Sequence, residues 1–394
     1  KLQKEIYLQI NFYKKKMYTK KKIVIVTSTR ADYGKLKSII LKIQKNKNFT
    51  TKVFVTGMHN LKLYGHTIKE IKKDKIKNLV IFKNQKKNSS MNKILINTIR
   101  GFSRFIDENK PDLVILHGDR VEPLGCAISS VLNNIRIIHI EGGEVSGTVD
   151  EMLRHAISKL SHIHFTSNKI AKKRLIQMGE NKKSIFVTGS PDIDLIKSEN
   201  LPELSKVKKR YGIKFERFAI AIFHPVTTEI NKLENHSRIF FEALKKTKKN
   251  FVITYPNNDL GANIIFKEIF KLKRNKKFKI FPSIRFEYFL TLLKNSDFII
   301  GNSSCGIIEA PYYNVPTINI GNRQKNRIKK NKLIKNVDFN QKIILNTIKE
   351  IKKSKMIKKS FFGNGKSARI INYLINSKEL WKINLQKNFI DLVR

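Results

Sequence analysis

Four side chains stand where acid–base chemistry is more natural than a place on a solvated surface. Asp119 and Glu141 each follow an apolar run and each has glycine beside it. Asp150 comes soon after, in a Gly-Thr-Val-Asp turn that precedes a helical segment carrying Arg154 and His155. Three carboxylates gathered on one edge suit proton transfer to and from carbon, because burial and mutual repulsion raise one pKa above the others. Asp150 fits equally the simpler part of a helix cap. His224 closes an apolar run just ahead of Pro-Val-Thr-Thr and would face the carboxylates from a second half of the chain; a lone histidine is as often structural.

A second group has the chemistry of anion recognition. Gly301-Asn302-Ser303-Ser304-Cys305-Gly306 leads into a helix expected to begin near Ile307. Backbone N–H groups and the hydroxyls of Ser303 and Ser304 can meet a phosphate there, although plain N-capping would leave the same signature. Arg30, Arg120, Arg323 and Arg327 are fork-shaped donors suited to a diphosphate, and about two of the four would be enough for that work. Cys305 lies inside the proposed phosphate loop without a histidine beside it, which makes it a packing residue rather than a nucleophile.

These residues need a scaffold that brings distant loops to one place. Ile23–Val26 is a short β-branched run, and Tyr33–Ile43 carries helical spacing at Leu36, Ile39, Ile40 and Ile43. Buried-type strands follow at Lys52–Thr56, Leu79–Phe82, Leu113–His117, Arg136–Ile140, Ile163–Thr166 and Ile185–Thr188, with helices between them, most clearly at Met91–Glu108. The alternation pauses over 190–216, where Pro191, Pro202 and Gly212 interrupt it, and resumes with Phe218–Phe223, Phe251–Tyr255, Phe278–Phe281, Phe298–Ile300 and Thr317–Ile320. Strands that are apolar throughout and alternate with helices imply parallel sheets covered on both faces. The expected fold is therefore α/β, two Rossmann-like doubly wound domains facing across a cleft. Polar clusters at 27–34, 117–120, 139–144, 223–229, 255–259 and 301–306 all follow strands, the edge at which such folds bind ligands.

Bulk properties narrow the class. The 394 residues suffice for two domains, and 41% of them are hydrophobic. Lys+Arg total 80 against Asp+Glu 31, a formal charge of +49, which favours polyanions at long range. The lysines are spread along the whole chain, however, and no aromatic–basic interleaving, zinc finger or RNA-recognition signature accompanies them, so specific nucleic-acid binding is not expected. No apolar run reaches the roughly 18 residues of a membrane span. Two cysteines fit a reducing compartment, and a cytoplasmic protein is expected. No His/Cys/Glu spacing matches a metal site, so neither metal nor cofactor is called for. Gly365-Lys366-Ser367 lacks the earlier glycine and the leading strand of a P-loop.

The motifs HGDRVEPLGCA (117–127), HIEGGEVSGTVDEMLRHAISKLSH (139–162), HPVTTE (224–229), YPNNDLG (255–261) and GNSSCGIIEAP (301–311) resemble those of the hydrolysing UDP-N-acetylglucosamine 2-epimerases of sialic and legionaminic acid biosynthesis. The likeness runs from about Lys22 to Leu374. It implies a glycosyltransferase-B arrangement: an N-terminal domain over 17–195 with the catalytic carboxylates, a nucleotide-binding domain over 196–365, and a C-terminal segment, 366–394, whose helix at about 366–376 crosses back to the first domain. Residues 1–16 would be an upstream extension, with a short helix at Ile6–Phe12. The resemblance further implies a nucleotide-sugar substrate and a homodimer or homotetramer. Ser303 and Ser304 would contact phosphates, Glu309 the ribose hydroxyls, and the backbone of Phe281-Pro282-Ser283 the base. Arg30 and Arg327 would contact the diphosphate, with Arg323 a further contact; Arg120, His155, Asn257 and Gly306 complete the implied binding set. Asp119, Glu141 and Asp150 match the positions that move protons, with Glu151 a rival to Asp150 and His224 supporting the leaving phosphate. The same motifs serve relatives acting on UDP- or GDP-linked 2,4-diacetamido-2,4,6-trideoxyglucose. A glycosyltransferase would use the same architecture but needs an acceptor and only one catalytic base; a non-catalytic polyanion binder would be indifferent to loss of Asp119.

Overall fold

The computed structural model describes residues 20–198, 201–327, 331–352 and 361–391. The upstream extension and the helix expected at Ile6–Phe12 lie outside them. Strands β1 (Lys21–Thr27), β2 (Phe49–Val55), β3 (Leu79–Ile81), β4 (Leu113–His117), β5 (Arg136–Ile140), β6 (Ile163–Thr166) and β7 (Ile185–Val187) form one sheet. Its order is β3-β2-β1-β4-β5-β6-β7. Strands β8 (Ala219–Ile222), β9 (Phe251–Thr254), β10 (Phe278–Phe281), β11 (Ile299–Gly301), β12 (Thr317–Ile320) and β13 (Ile334–Val337) form a second, ordered β10-β9-β8-β11-β12-β13. Every pairing is parallel.

Each sheet is buried on both faces, which is why its strands read as apolar without alternation. On one side of the first sheet Ile23, Ile25 and Ile115 pack with Leu36, Ile39 and Ile40; on the other, Val24, Val26 and Val114 pack with Phe102, Phe105 and Ile106. The helix Ser367–Asn376 contributes Ala368, Ile371 and Ile375 to the first of these cores. Its N-terminus is tied down by Asp194, whose carboxylate accepts the N–H groups of Ser367 (2.8 Å) and Ala368 (2.7 Å). In the Gly-Lys-Ser segment those N–H groups serve a helix cap, not a phosphate.

Three local expectations shift. The first helix begins at Arg30 rather than Tyr33, because Thr29 and Asp32 form a capping box that sets the start three residues earlier. Strand β13 went unrecognised: Ile-Lys-Asn-Val is a half-exposed edge strand without the apolar run of its neighbours. The phosphate loop does not enter a long helix near Ile307. A 3₁₀ turn at Ser304–Gly306 is followed by a single helical turn at Glu309–Tyr312, and Pro311 falls inside it. Anion binding there has to come from side chains and local N–H groups, since so short a helix has little dipole.

In both sheets the strand order reverses at a topological switch point: between β1 and β4 in the first, between β8 and β11 in the second. Crevices beyond the carboxyl ends of strands at such points are where doubly wound sheets bind ligands. The two crevices face each other, and the halves touch. Lys37 pairs with Glu287 at 2.8 Å, Arg120 with Asp259 at 3.2 Å, and Gln85 accepts from Asn258 at 2.7 Å. A Cβ on Gly34 would stand 2.7 Å from the Phe286 ring, so this first-half helix needs glycine to approach the second half.

Candidate active site

The cleft is lined by residues from all six polar clusters. Asp119 and Arg120 come from the β4 end, Glu141 from the β5 end, and Asp150 from the start of the helix Val149–Leu160. From the second half come His224, Asn257, Pro282, Ser303, Ser304, Glu309, Arg323 and Arg327, and Arg30 closes the ring from the first. Three expected binding residues are not among the lining: His155, Gly306 and Phe281, although Pro282 and Ser283 are. His155 is on another face of its helix, 3.5 Å from Glu151. Gly306 is packed in its turn, its carbonyl accepting from Thr317 Oγ1 at 2.7 Å. Glu151 is also turned away, accepting the Ser146 N–H at 2.7 Å, which leaves Asp150 as the carboxylate of this pair that lines the cleft.

The carboxylates differ in environment. Asp119 is only partly buried; its desolvation would raise its pKa, but Arg154 contacts it directly and Arg327 and Arg323 add positive charge, so its carboxyl lies below the usual range. Asp150 goes the other way: burial and the neighbouring Asp119 hold it above the usual range against the pull of Arg323 at 3.1 Å. Two adjacent acids pushed apart in this way can divide the labour of proton transfer between them. Glu141 is held well below its ordinary range despite burial, by Lys35 at 3.3 Å and His117 at 3.2 Å, with Ser190 donating to its other oxygen. Its backbone is left-handed, φ +67°, which costs a non-glycine residue on the order of 1 kcal/mol and aims the side chain into the cleft.

Lys35 was not anticipated. It bridges Glu141 and, at 2.8 Å, the fully buried Asp192. Glu309 completes the group; burial and then Asp192 push its carboxyl up to about 8. Nothing in the sequence separates this lysine from the rest of a chain holding 80 Lys+Arg. Arg154 contacts Asp119, a role its place in the sequence next to His155 does not signal. A fully buried arginine is rarely without a carboxylate partner, yet burial is invisible in the sequence.

His224 lies just beyond β8 rather than ending it. Its Nδ1 accepts the Asn257 backbone N–H at 3.0 Å, which fixes the proton on Nε2. Asn302 holds the same residue from the other side, accepting the His224 N–H at 2.7 Å and donating to its carbonyl at 2.8 Å. Burial, then Arg323 and Arg120, keep the imidazole neutral, its pKa well below the usual value. A neutral, oriented Nε2–H is a hydrogen-bond donor for an oxyanion. Arg30 is partly buried, its Nη1 enclosed and unpaired, and lines the cleft with no carboxylate hydrogen-bonded to it among the described residues. Burial, with Glu309 beside it, holds the Cys305 thiol up at about 12, as a packing residue requires. Among the described residues no cluster of three or more His, Cys, Asp or Glu is arranged for a metal ion, and no helix is long and apolar enough to cross a membrane.

Two doubly wound sheets meeting at their switch points, with acids on one side and phosphate-type donors on the other, define a nucleotide-sugar enzyme of the glycosyltransferase-B-like class. Comparison with known proteins agrees. The UDP-N-acetylglucosamine 2-epimerase family profile matches residues 41–376, and the chain belongs to that family. It is 44% identical over 376 residues to the UDP-N-acetylglucosamine 2-epimerase of Neisseria meningitidis serogroup B, covering 94% of this chain and 99% of the relative. It is 35% identical to the hydrolyzing UDP-N,N'-diacetylbacillosamine 2-epimerase of Legionella pneumophila, over 93% of this chain and 98% of the relative. Among solved structures, the Methanocaldococcus jannaschii UDP-GlcNAc 2-epimerase in complex with UDP-GlcNAc and UDP superposes with a TM-score of 0.75 at 23% identity, covering 90% of this chain and all (100%) of that one. That likeness carries the fold.

Proposed function

We propose that the chain hydrolyses UDP-N-acetylglucosamine with inversion at C2, releasing UDP and N-acetylmannosamine through a 2-acetamidoglucal for sialic acid biosynthesis. The observation that carries this reading is the pair Asp119 and Asp150, adjacent in one cleft with protonation tendencies driven in opposite directions. In the first step the Asp119 carboxylate takes the C2 proton. The C2–H electrons form the C1=C2 bond, and the C1–O electrons leave with UDP. His224 Nε2–H donates to the departing phosphate oxygen, and Arg30, Arg327, Ser303 and Ser304 hold the diphosphate, stabilising charge that develops only as the bond breaks. In the second step water adds at C1 and gives up a proton to an ionised carboxylate of the site. C2 receives a proton from Asp150 on the opposite face.

Greater identity to the Neisseria relative than to the Legionella one supports the N-acetylglucosamine substrate over a 4-acetamido, 6-deoxy sugar. Glutamate and lysine at the ribose end (Glu309, Lys35) and two inward arginines suit a nucleoside diphosphate in either case. The test is incubation with UDP-N-acetylglucosamine in D₂O without metal or acceptor, followed by proton NMR. Free UDP and C2-deuterated N-acetylmannosamine are expected. UDP-N-acetylmannosamine would place the chain in the non-hydrolysing branch. Turnover only of diacetamido-trideoxy sugar nucleotides would change the substrate but not the chemistry. Dependence on an added acceptor would make it a glycosyltransferase.

A further inference from the structure

His139 stands two residues before Glu141, at the fourth position of β5, with no exposed surface. Neither it nor Ser158 is among the residues lining the cleft. The His139 Nε2 donates to the Gly118 carbonyl at 2.7 Å, and its Nδ1 lies 3.0 Å from Ser158 Oγ. A carbonyl only accepts, so Nε2 carries a proton. Burial holds the imidazole pKa down to about 3 against the pull of that bond, so this is the ring's one proton and Nδ1 accepts from the Ser158 hydroxyl. Ser158 thereby selects the tautomer that Gly118 needs. The packing leaves no slack: a Cβ on Gly142 would stand 2.8 Å from Ser158 Oγ and 2.9 Å from His139 Nδ1.

Gly118 is the residue before Asp119, in the left-handed region at φ +80°. Strand β5 holds both of its peptide groups: the N–H donates to the Ile140 carbonyl at 3.2 Å, and the carbonyl accepts from His139. The Asp119 carboxylate is in turn gripped by Arg154. Asp150, Arg154 and Ser158 are spaced four apart on the helix Val149–Leu160, on successive turns of one side. One helix thus presents Asp150 to the cleft, holds Asp119 by its side chain, and orients the histidine that holds the peptide ahead of Asp119.

We propose that His139, oriented by Ser158, is a positioning residue for Asp119: through the Gly118 carbonyl it fixes the turn beyond β4 against the helix that carries Asp150. The inference rests on the epimerase reading, in which Asp119 takes the C2 proton, and adds to it a residue that lies outside the cleft. A histidine that merely filled space would be replaceable by an apolar ring of similar size. Loss of the Nε2 donor instead leaves the Gly118 carbonyl without its partner, and the turn is free to shift.

Wild type, His139→Phe, His139→Gln and Ser158→Ala are compared as full-length chains. Calorimetry with UDP gives the affinity and the number of folded nucleotide sites, and kcat on the nucleotide sugar that the wild type accepts is expressed per such site. His139→Phe should bind UDP within about twofold of wild type, because the phosphate-type donors of the second half are untouched. Its kcat per site should fall by roughly 10- to 100-fold, from a displacement of Asp119 on the order of 1 Å. His139→Gln, whose amide again offers Gly118 an N–H, should recover most of that loss. Ser158→Ala removes one hydroxyl and should lower kcat by roughly 3- to 10-fold, by letting the ring proton move to Nδ1. A His139→Phe rate within about threefold of wild type would overturn the proposal and make His139 a packing residue. His139→Gln as slow as His139→Phe would overturn it too, since the donor to Gly118 would not be what matters. A loss of UDP affinity of about tenfold or more would also overturn it, placing the effect at the nucleotide. Should His139→Phe fail to fold, a wild-type rate in Ser158→Ala overturns the proposal. A wild type that binds UDP but turns over no nucleotide sugar would sink the epimerase reading, and this inference with it.

Discussion

Lowering the pH from 8 to 6 should loosen the nucleotide through one residue, Glu309. Lys35 bridges Asp192 and Glu141, and Glu309 is a third carboxylate in the same buried group. Burial and the charge on Asp192 outweigh the help from Lys35 and push the Glu309 carboxyl up to about 8. If Glu309 holds the ribose, the competent form is the carboxylate, which accepts from both hydroxyls. The ionised fraction is then about one half at pH 8, one tenth at pH 7 and one hundredth at pH 6. An apparent Kd scales inversely with the competent fraction, so it should rise by up to about 50-fold between pH 8 and pH 6, or about 2.3 kcal/mol. The ligand of choice is a UDP-hexose without the acetamido group, whose diphosphate is a diester and keeps its charge across this range. His224 does not interfere, since it stays neutral. Calorimetry at pH 7 in buffers of different ionisation enthalpy should show close to one proton released per ligand bound. Glu309→Gln should abolish both the proton release and the pH dependence. A wild-type Kd that is flat from pH 6 to 8, with no proton released, would refute the reasoning: either Glu309 is already ionised or it does not hold the ribose.

Two further outcomes follow from the same cleft. Asp119→Asn should lower turnover by on the order of 100- to 10,000-fold and stop C2 exchange with solvent, whereas Asp150→Asn should still expel UDP and release the 2-acetamidoglucal, seen by NMR as an alkene; equal failure of both variants at the first step would cancel the division of roles. Lys35→Met leaves Asp192 and Glu141 buried without their cation and should cost about 3–5 kcal/mol in urea denaturation at pH 8, with Lys35→Met/Asp192→Asn recovering more than half. Glu141 and Asp192 carry opposite signs, since burial raises Asp192 while the folded pKa of Glu141 is depressed, and the acid-side loss belongs to Glu141. The stability it lends is present above the ordinary carboxylate range and is lost as pH falls toward that depressed value. Lys35→Met should lose this dependence, and a variant that keeps it would show that His117 and Ser190, not Lys35, hold the charge.

Much of the scaffold was legible because a parallel sheet covered on both faces forces its strands to be apolar, and polar residues can then appear only beyond their ends. That constraint is local, so Leu113–His117 followed by Gly118-Asp119-Arg120 announced a strand and a site edge together. The capping box at Thr29 and Asp32 is also written in the sequence and starts the helix three residues before the apolar spacing does. Strand β13 was beyond reach, since an edge strand is half exposed and its Ile-Lys-Asn-Val has the composition of a loop. His155, placed in the binding set by the resemblance alone, is not among the residues lining the cleft, because a helix turns about 100° per residue and sets it on another face from Asp150.

What the sequence determined by itself was the kind of residue available at each strand end: carboxylates on the first half, serines, a histidine and arginines on the second. What only the tertiary structure decided was which of them meet. Arg323 is one more basic residue in the sequence until the halves meet and set it 3.1 Å from Asp150, a residue 173 positions away. Lys35 and Arg154 are anonymous among so many basic residues until burial leaves each with a carboxylate it cannot do without. Charge pairing and desolvation depend on distance and on exclusion from water, and neither quantity exists along a chain before it folds.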